Sequence, residues 1–358
     1  MIHITNTPFQ TLIFAVALIA MLVFSINKRR SDHIFPVSLT NELKGLAILA
    51  IIFAHIGYFL SDDQFLYPLS ILSGVGVNLF LFLSGLGLTL SNLKHNYSVL
   101  TFYRKRLSNL YLSLWITLTV VLLLDFLLLH KTYPQTEVWQ SFLGFFIQAN
   151  PVYNINSPLW FISLILFYYL IFPLTWVKQK PIITPVIILA ISLLLLHLNL
   201  PISHDNLILY QLHFVAFPLG MLTALIFNYQ KISNFISRIY ANNLLRIILL
   251  IPLILIFTYY AYYSHIGQGI SEQIVSLITM FTLVFIFMLT GLNFRLLSLF
   301  GVYSYEIYLI HWPILSRFDF LYKFLPGSLA TILYLIFFLT LGFGLQKSDE
   351  FISKKLPI

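Results

Sequence analysis

The chain has 358 residues, 59% of them hydrophobic and only 9% charged, with a mean hydropathy of +0.90. A soluble domain carries about 25% charged residues, so a soluble globular protein is excluded and a polytopic membrane protein is expected. No cysteine is present, which excludes disulfides and thiolate metal sites, and the net charge of +8 sits in short loops between apolar runs, where it marks membrane orientation rather than nucleic-acid binding.

Eleven apolar spans follow one another, at about 9–26, 42–60, 71–91, 109–129, 158–177, 182–198, 209–228, 247–263, 272–292, 302–321 and 328–346. Each is near the length that crosses a bilayer, with 182–198 at the short limit. The expected fold is therefore all-α, with about eleven transmembrane helices. The first span has no basic region before it and is followed by Lys28-Arg29-Arg30, so it reads as an uncleaved anchor. A polar linker, 31–40, contains Pro36. Of the 20 Lys and Arg residues, all but Lys131, Arg317 and Lys323 fall in one alternate set of loops and ends. Basic loops stay cytoplasmic, which puts the N-terminus outside and the C-terminus inside. The longest outside loop, about 130–157, spaces Trp139, Phe142, Phe145 and Phe146 as an amphipathic surface helix would. Among the inside segments, 92–108 carries Tyr103-Arg104-Lys105-Arg106, suited to phosphates.

The second span begins Asn41-Glu42-Leu43-Lys44-Gly45 and carries His55 eleven residues after Lys44. At 100° per residue this is three turns plus about 20°, so both side chains share one face, roughly 16 Å apart along the axis. Lys44 belongs near one surface and His55 well inside, where an ionisable residue is costly and is a functional hypothesis by default. The structural alternatives are a neutral histidine bonded to a neighbouring helix and a lysine that snorkels to the interface.

The tenth span, Gly301-Val-Tyr-Ser-Tyr-Glu-Ile-Tyr-Leu-Ile-His-Trp-Pro313, adds Glu306 and His311. They are five residues apart, about 140° around a helix, and so face different neighbours. Pro313 releases a backbone carbonyl near His311. Structural pairing of Glu306 with a cation of another helix is the alternative. In the third span, Gly74, Ser84 and Gly85 read as close-packing positions, and Asn78 as a possible hydrogen-bond partner of a catalytic group. Ser157-Pro-Leu-Trp160-Phe161 suits a helix start at the membrane interface. His197, His213, Asp125, Asp319 and Arg317 stand isolated. No metal-spaced set of ligands, phosphate-binding glycine loop or nucleophile elbow is present.

Taken together these stretches resemble the acyltransferase 3 family of membrane O-acyltransferases. Lys44 and His55 match its Arg/Lys, ten residues, His pattern. Gly76-Val-Asn-Leu-Phe-Leu-Phe-Leu-Ser-Gly85 is similar to its Gly-Val-Asp-x-Phe-Phe-x-x-Ser-Gly helix, and Phe102-Tyr-Arg-Lys-Arg-Leu107 to its basic cytoplasmic segment. Tyr303 to Pro313 resembles its Tyr-Ser-Tyr-x-x-Tyr-Leu-x-His-x-Pro helix. The resemblance covers about 41–346, leaving 1–40 as an N-terminal anchor and linker added to a ten-helix core, and 347–358 as a cytoplasmic tail. Departures are Asn78 for the family's Asp, Ile165 and Leu166 for a Glu-Glu pair, and Asn109 and Leu112 for an Arg and a Pro.

The resemblance implies transfer of an acyl group, usually acetyl from acetyl-CoA, to a hydroxyl of a cell-surface glycan or lipid-linked glycan, in the inner (cytoplasmic) membrane of a bacterium. On that reading His55 is the base or transient acyl carrier, because imidazole suits proton removal near neutral pH. Lys44 holds a donor phosphate or polarises the thioester. Arg104, Lys105 and Arg106 attract the CoA phosphates, Glu306 orients Lys44 or His55, and His311 lines the same cavity. No permanently bound cofactor, metal or nucleic acid is expected. The rival reading is a transporter of a small solute or lipid-linked glycan that uses buried His, Glu and Lys as a proton relay.

Overall fold

The computed structural model describes residues 3–29, 34–60, 64–95, 97–146, 155–198, 204–264 and 270–355. Arg30, the start of the 31–40 linker and residues 147–154 of the loop expected outside lie outside the described residues. The elements are α1 (Thr7–Phe24), β1 (Ile26–Lys28), α2 (Val37–Phe59), α3 (Ser73–His95), α4 (Val99–Leu129), α5 (Gln135–Leu143), α6 (Trp160–Thr175), α7 (Ile183–His197), α8 (His204–His213), α9 (Ala216–Asn228), α10 (Gln230–Ala241), α11 (Asn243–Tyr262), α12 (Ile270–Thr290), β2 (Leu292–Phe294), α13 (Arg295–Val302), α14 (Ser304–Arg317) and α15 (Gly327–Lys355).

Among the described residues, nine helical stretches are long and apolar enough to cross a membrane, and the chain is an all-α polytopic membrane protein. Two of the eleven expected spans form shorter helices, α7 with 15 residues and α14 with 14. The basic segment expected in a loop is instead the start of α4, which runs from Val99 as one 31-residue helix. The last helix, α15, continues through Lys355, so residues 347–355 are helical. Of the aromatic segment expected to form one surface helix, Trp139 and Phe142 lie in a short helix, α5, with Trp139 exposed, whereas Phe145 and Phe146 follow its end and Phe146 is buried.

Apolar residues surround α2, and a helix that is apolar all round is buried all round. Leu39, Leu43, Ala47, Ile48, Ile51 and Ile52 are all in the core. By contrast α11 has no buried residue, and its Ile247, Ile251, Ile254 and Leu255 face outward, as lipid contact requires. Backbones meet at glycines. A Cβ on Gly45 would strike the Leu297 carbonyl of α13, and one on Gly301 the Asn41 carbonyl of α2. Gly85 of α3 and Gly220 of α9 stand in the same relation to Phe217 and Phe82. Without a hydrophobic drive between helices in lipid, such close van der Waals contact is what holds them together.

Prolines inside helices release the carbonyl four residues earlier, and that oxygen finds no water in a bilayer core. Pro313 releases Leu309, whose oxygen accepts from Asn156 Nδ2 at 2.7 Å. Pro218 stands in the first turn of α9, and the Phe214 oxygen just before that helix accepts from the Tyr168 hydroxyl at 2.8 Å. The N-terminal segment is tied in at both ends. Near the start of α1, Ser328 donates its backbone N–H and hydroxyl to Gln10 Oε1. After α1, β1 pairs antiparallel with β2, and Arg29 donates to Glu42 at 2.8 Å and to the Phe287 carbonyl at 2.7 Å.

The glycine crossings make a stability contrast. Gly220→Ala puts a methyl into the α3 backbone at Phe82 and should cost about 1–3 kcal/mol by overpacking. Gly87→Ala meets nothing within 4 Å and should hold or gain about 0.5–1 kcal/mol. Thermal unfolding in detergent micelles, followed by fluorescence, should show a lowered midpoint for Gly220→Ala and an unchanged or raised one for Gly87→Ala.

Candidate functional site

Two cavities open against the face of α2 that carries Lys44 and His55. The first, of about 190 Å³, is lined by Lys44 together with Arg106 and Asn109 of α4, Ser84 of α3, Tyr169 of α6 and Ser304, Tyr305 and Tyr308 of α14. The second, of about 120 Å³, is lined by His55, by Ser73 and Gly74 of α3, by Trp160 of α6, by His213 of α8, by Glu272 of α12 and again by Tyr308. Tyr308 is thus the wall the two share, and its hydroxyl donates to the Pro158 carbonyl.

In the second cavity the hydrogen bonds assign the imidazole protons. A carbonyl oxygen only accepts, so His311 Nδ1, 3.0 Å from the Ile307 oxygen, carries a proton. In a neutral ring His311 Nε2 is then an acceptor. His55 Nδ1 lies 2.7 Å from it, with the two ring planes 4° apart, and must donate. That leaves the lone pair of His55 on Nε2, which has no protein partner among the described residues. Trp312 packs edge-on against His55 with ring centroids 4.8 Å apart and fixes its plane. A neutral histidine held by a second group, with one nitrogen bare toward a cavity, is the arrangement of a general base.

The first cavity has the opposite character. Lys44 and Arg106 both face it, interact electrostatically with each other, and make no hydrogen bond or ion pair among the described residues. Two cations in one partly enclosed space, neither held in an ion pair, are a site for an anion, phosphate above all. Glu306, buried in the first turn of α14, interacts electrostatically with Lys44 without forming an ion pair, and its Oε2 is buried with no hydrogen bond. His311, five residues further along α14, meets His55. Of the basic triplet only Arg106 lines the cavity; Arg104 and Lys105 are exposed, and Lys105 donates to the Tyr97 hydroxyl at 3.4 Å.

Several residues that stand alone in the sequence are paired in space. His213 Nδ1 donates to Asn78 Oδ1 at 2.9 Å, and Asn78 Nδ2 donates to Ser276 at 2.8 Å. Arg317 pairs with the fully buried Asp125 at 3.1 Å, Tyr133 donates to the same carboxylate, and Tyr334 donates to Asp319. Gly74, read as a packing position, borders the second cavity instead. Trp160, read as an interfacial anchor, stacks on His213 with centroids 5.7 Å apart. Sequence reasoning missed Glu272, Ser276 and Tyr308. The signal for Glu272 was present, an acid at the head of an apolar span. Among the described residues no group of three or more His, Cys, Asp or Glu could hold a metal.

A family model described as an acyltransferase domain matches residues 41–346. No curated protein and no solved structure matches the chain.

The proton assignment is measurable directly. In ¹⁵N-histidine spectra of the protein in bilayers, His55 should be held as the Nδ1–H tautomer. His311→Phe removes its acceptor and should return His55 to a mixture of tautomers, while His311→Gln, which keeps an acceptor oxygen, should preserve most of the bias.

Proposed function

Because the chain belongs to the acyltransferase 3 family, we propose that this multi-pass membrane acyltransferase moves an acetyl group from cytoplasmic acetyl-CoA to a hydroxyl of a cell-surface glycan. The observation that carries the reading is the division of labour along α2. Two cations without an ion-pair partner among the described residues lie at one end, and a histidine with a bare nitrogen lies three turns away. A substrate with a polyphosphate head and a reactive thioester at the end of a long arm matches that division.

Lys44 and Arg106 take the CoA phosphates. The roughly 16 Å between Lys44 and His55 favours a phosphate partner for Lys44 over the thioester carbonyl, and the pantetheine arm passes Tyr308 to bring the thioester to His55. There His55 Nε2 takes the proton of the acceptor hydroxyl, the oxygen attacks the thioester carbon, and the C–S bond breaks as the ester C–O bond forms. The proton on His55 is returned to the departing sulfur, giving CoA-SH and the O-acetyl glycan. His311 holds the imidazole in the reactive tautomer and shares the charge that develops on it. Glu306 offsets part of the positive charge around Lys44, so that donor and product CoA both exchange. The exposed Arg104 and Lys105 draw the donor toward the membrane surface. The membrane is the bacterial cytoplasmic membrane, with the N-terminus outside and the Lys44 cavity on the cytoplasmic side.

Ester-linked acetate on surface glycans, measured by mass spectrometry from cells expressing wild type, His55→Ala or empty vector, tests the reading. Acetate should appear with wild type only, with the variant present in the membrane at a normal level. Equal acetate in all three, with a change in the amount of exported glycan, would replace acyl transfer by transport. In purified protein Arg106→Ala should raise KM for acetyl-CoA about 10- to 100-fold, the loss of one charge-assisted hydrogen bond, with a much smaller change in kcat.

A further inference from the structure

Away from both cavities, α10 (Gln230–Ala241) joins two apolar stretches long enough to cross the membrane, Asn206–Asn228 and Asn243–Tyr262. Its 12 residues reach about 18 Å, against a hydrocarbon core of about 30 Å, so it runs along one surface rather than across. Extended backbone at Tyr229 and Asn242 breaks it from both neighbours. The surface is the one nearest Lys44. Tyr240 lies within electrostatic reach of Arg29 and Arg246, and Arg29 is bonded to Glu42 at the start of α2.

Ile232, Phe235, Ile236, Ile239 and Tyr240 recur at the spacing of one helix face. Yet no residue of α10 is buried, and Phe235 is 62% exposed. The opposite face closes on itself, with Gln230 donating to Asn234 at 2.9 Å and Ser237 to the Ser233 carbonyl at 3.0 Å. Lys231, Phe235 and Arg238 stand at i, i+4 and i+7 and form one ridge along the edge of the apolar face. Both cations are exposed, neither makes an ion pair or hydrogen bond among the described residues, and the helix contains no acid. A helix of this kind at a membrane surface sinks its apolar face about 5–10 Å into the boundary between headgroups and acyl chains. Lipid phosphate then stands level with the cationic ridge.

We propose that α10 docks on the lipid surface of the cytoplasmic leaflet. Phe235 and the isoleucines enter the acyl boundary, and Lys231 and Arg238 hold the phosphate of an anionic phospholipid. Acyl transfer plays no part in this interaction, so its test is separate from that of the catalytic reading.

The chain has no cysteine, so one introduced cysteine gives one nitroxide site in the full-length protein, held in nanodiscs of phosphatidylcholine and phosphatidylglycerol. In electron paramagnetic resonance, a label on Phe235→Cys should collide with oxygen and be shielded from a water-soluble nickel chelate. A label on the neighbouring Asn234→Cys should show the reverse. Native mass spectrometry of the protein released from micelles reads the binding of each lipid. At about fivefold per surface cation, Lys231→Gln/Arg238→Gln should weaken phosphatidylglycerol binding at least tenfold and leave phosphatidylcholine binding as it is. The charge-matched tail variant Lys354→Gln/Lys355→Gln should have a much smaller effect, and millimolar inorganic phosphate should displace no lipid. A nickel-accessible label on Phe235→Cys puts the apolar face in water and overturns the docking. Equal losses in the α10 and tail variants, or an unchanged preference for phosphatidylglycerol in the α10 variant, overturn the phosphate site. Displacement by inorganic phosphate gives the site to a soluble anion and overturns it as well.

Discussion

In the hydrocarbon core a ring nitrogen cannot turn its lone pair against a main-chain oxygen, so His311 Nδ1, 3.0 Å from the Ile307 carbonyl, carries a proton and donates it there. That one demand, with both rings neutral, settles the hydrogens of the whole pair. Once His311 is committed as a donor on one side it is an acceptor on the other, so His55 must give up its Nδ1 proton and keep its lone pair on Nε2. The same low-dielectric surroundings that make an unpaired polar group so costly make the pair strict. A water-filled site would let either ring turn over; here the backbone of α14 holds the tautomer.

The scaffold exists to keep these rings together. His55 and His311 lie on helices α2 and α14, and α2 is fixed from the other side by glycine contacts with α13, the helix that leads into α14. Close backbone approach sets the axial register of α2 against the α13–α14 segment to within the tolerance of a hydrogen bond. The two cavities follow from that register. One forms where α4 and the start of α14 stand off from Lys44, the other where α3, α8 and α12 surround His55, and Tyr308 projects between them.

What could be read from the amino-acid order divides along a physical line. Lys44 and His55 on one face, and Glu306 and His311 on different faces, follow from helical periodicity, which is local, and the structure has them so. The family resemblance likewise survives as residues 41–346. The contact between His55 and His311 is separated by 256 positions and depends on how helices pack, which no local pattern encodes. Gly74 looked like its neighbours Gly76 and Gly85, since a glycine that admits a backbone and one that leaves a space are identical in sequence. His213, Asp125 and Arg317 looked solitary for the same reason. Glu272 carried a readable signal, an acid in apolar surroundings, but its position at the head of a span made the interface an adequate account of it. Eleven apolar runs were plain; that α7 and α14 stop short of a full crossing depends on where the chain turns, and hydropathy blurs such ends.

Arg29 and Glu42 lie on opposite sides of the boundary at which the homologous region begins. Glu42 is fully buried, and its carboxylate is held by Arg29 at 2.8 Å and by Asn293 at 2.5 Å. Removing one member of a buried pair costs on the order of 3–5 kcal/mol, a large part of the 5–15 kcal/mol by which a typical protein is stable. The stretch that the family model matches is therefore shorter than the stretch that this buried pair ties together. A fragment cut at residue 41 would keep every motif of the family and lose the cation that one of its own buried carboxylates needs.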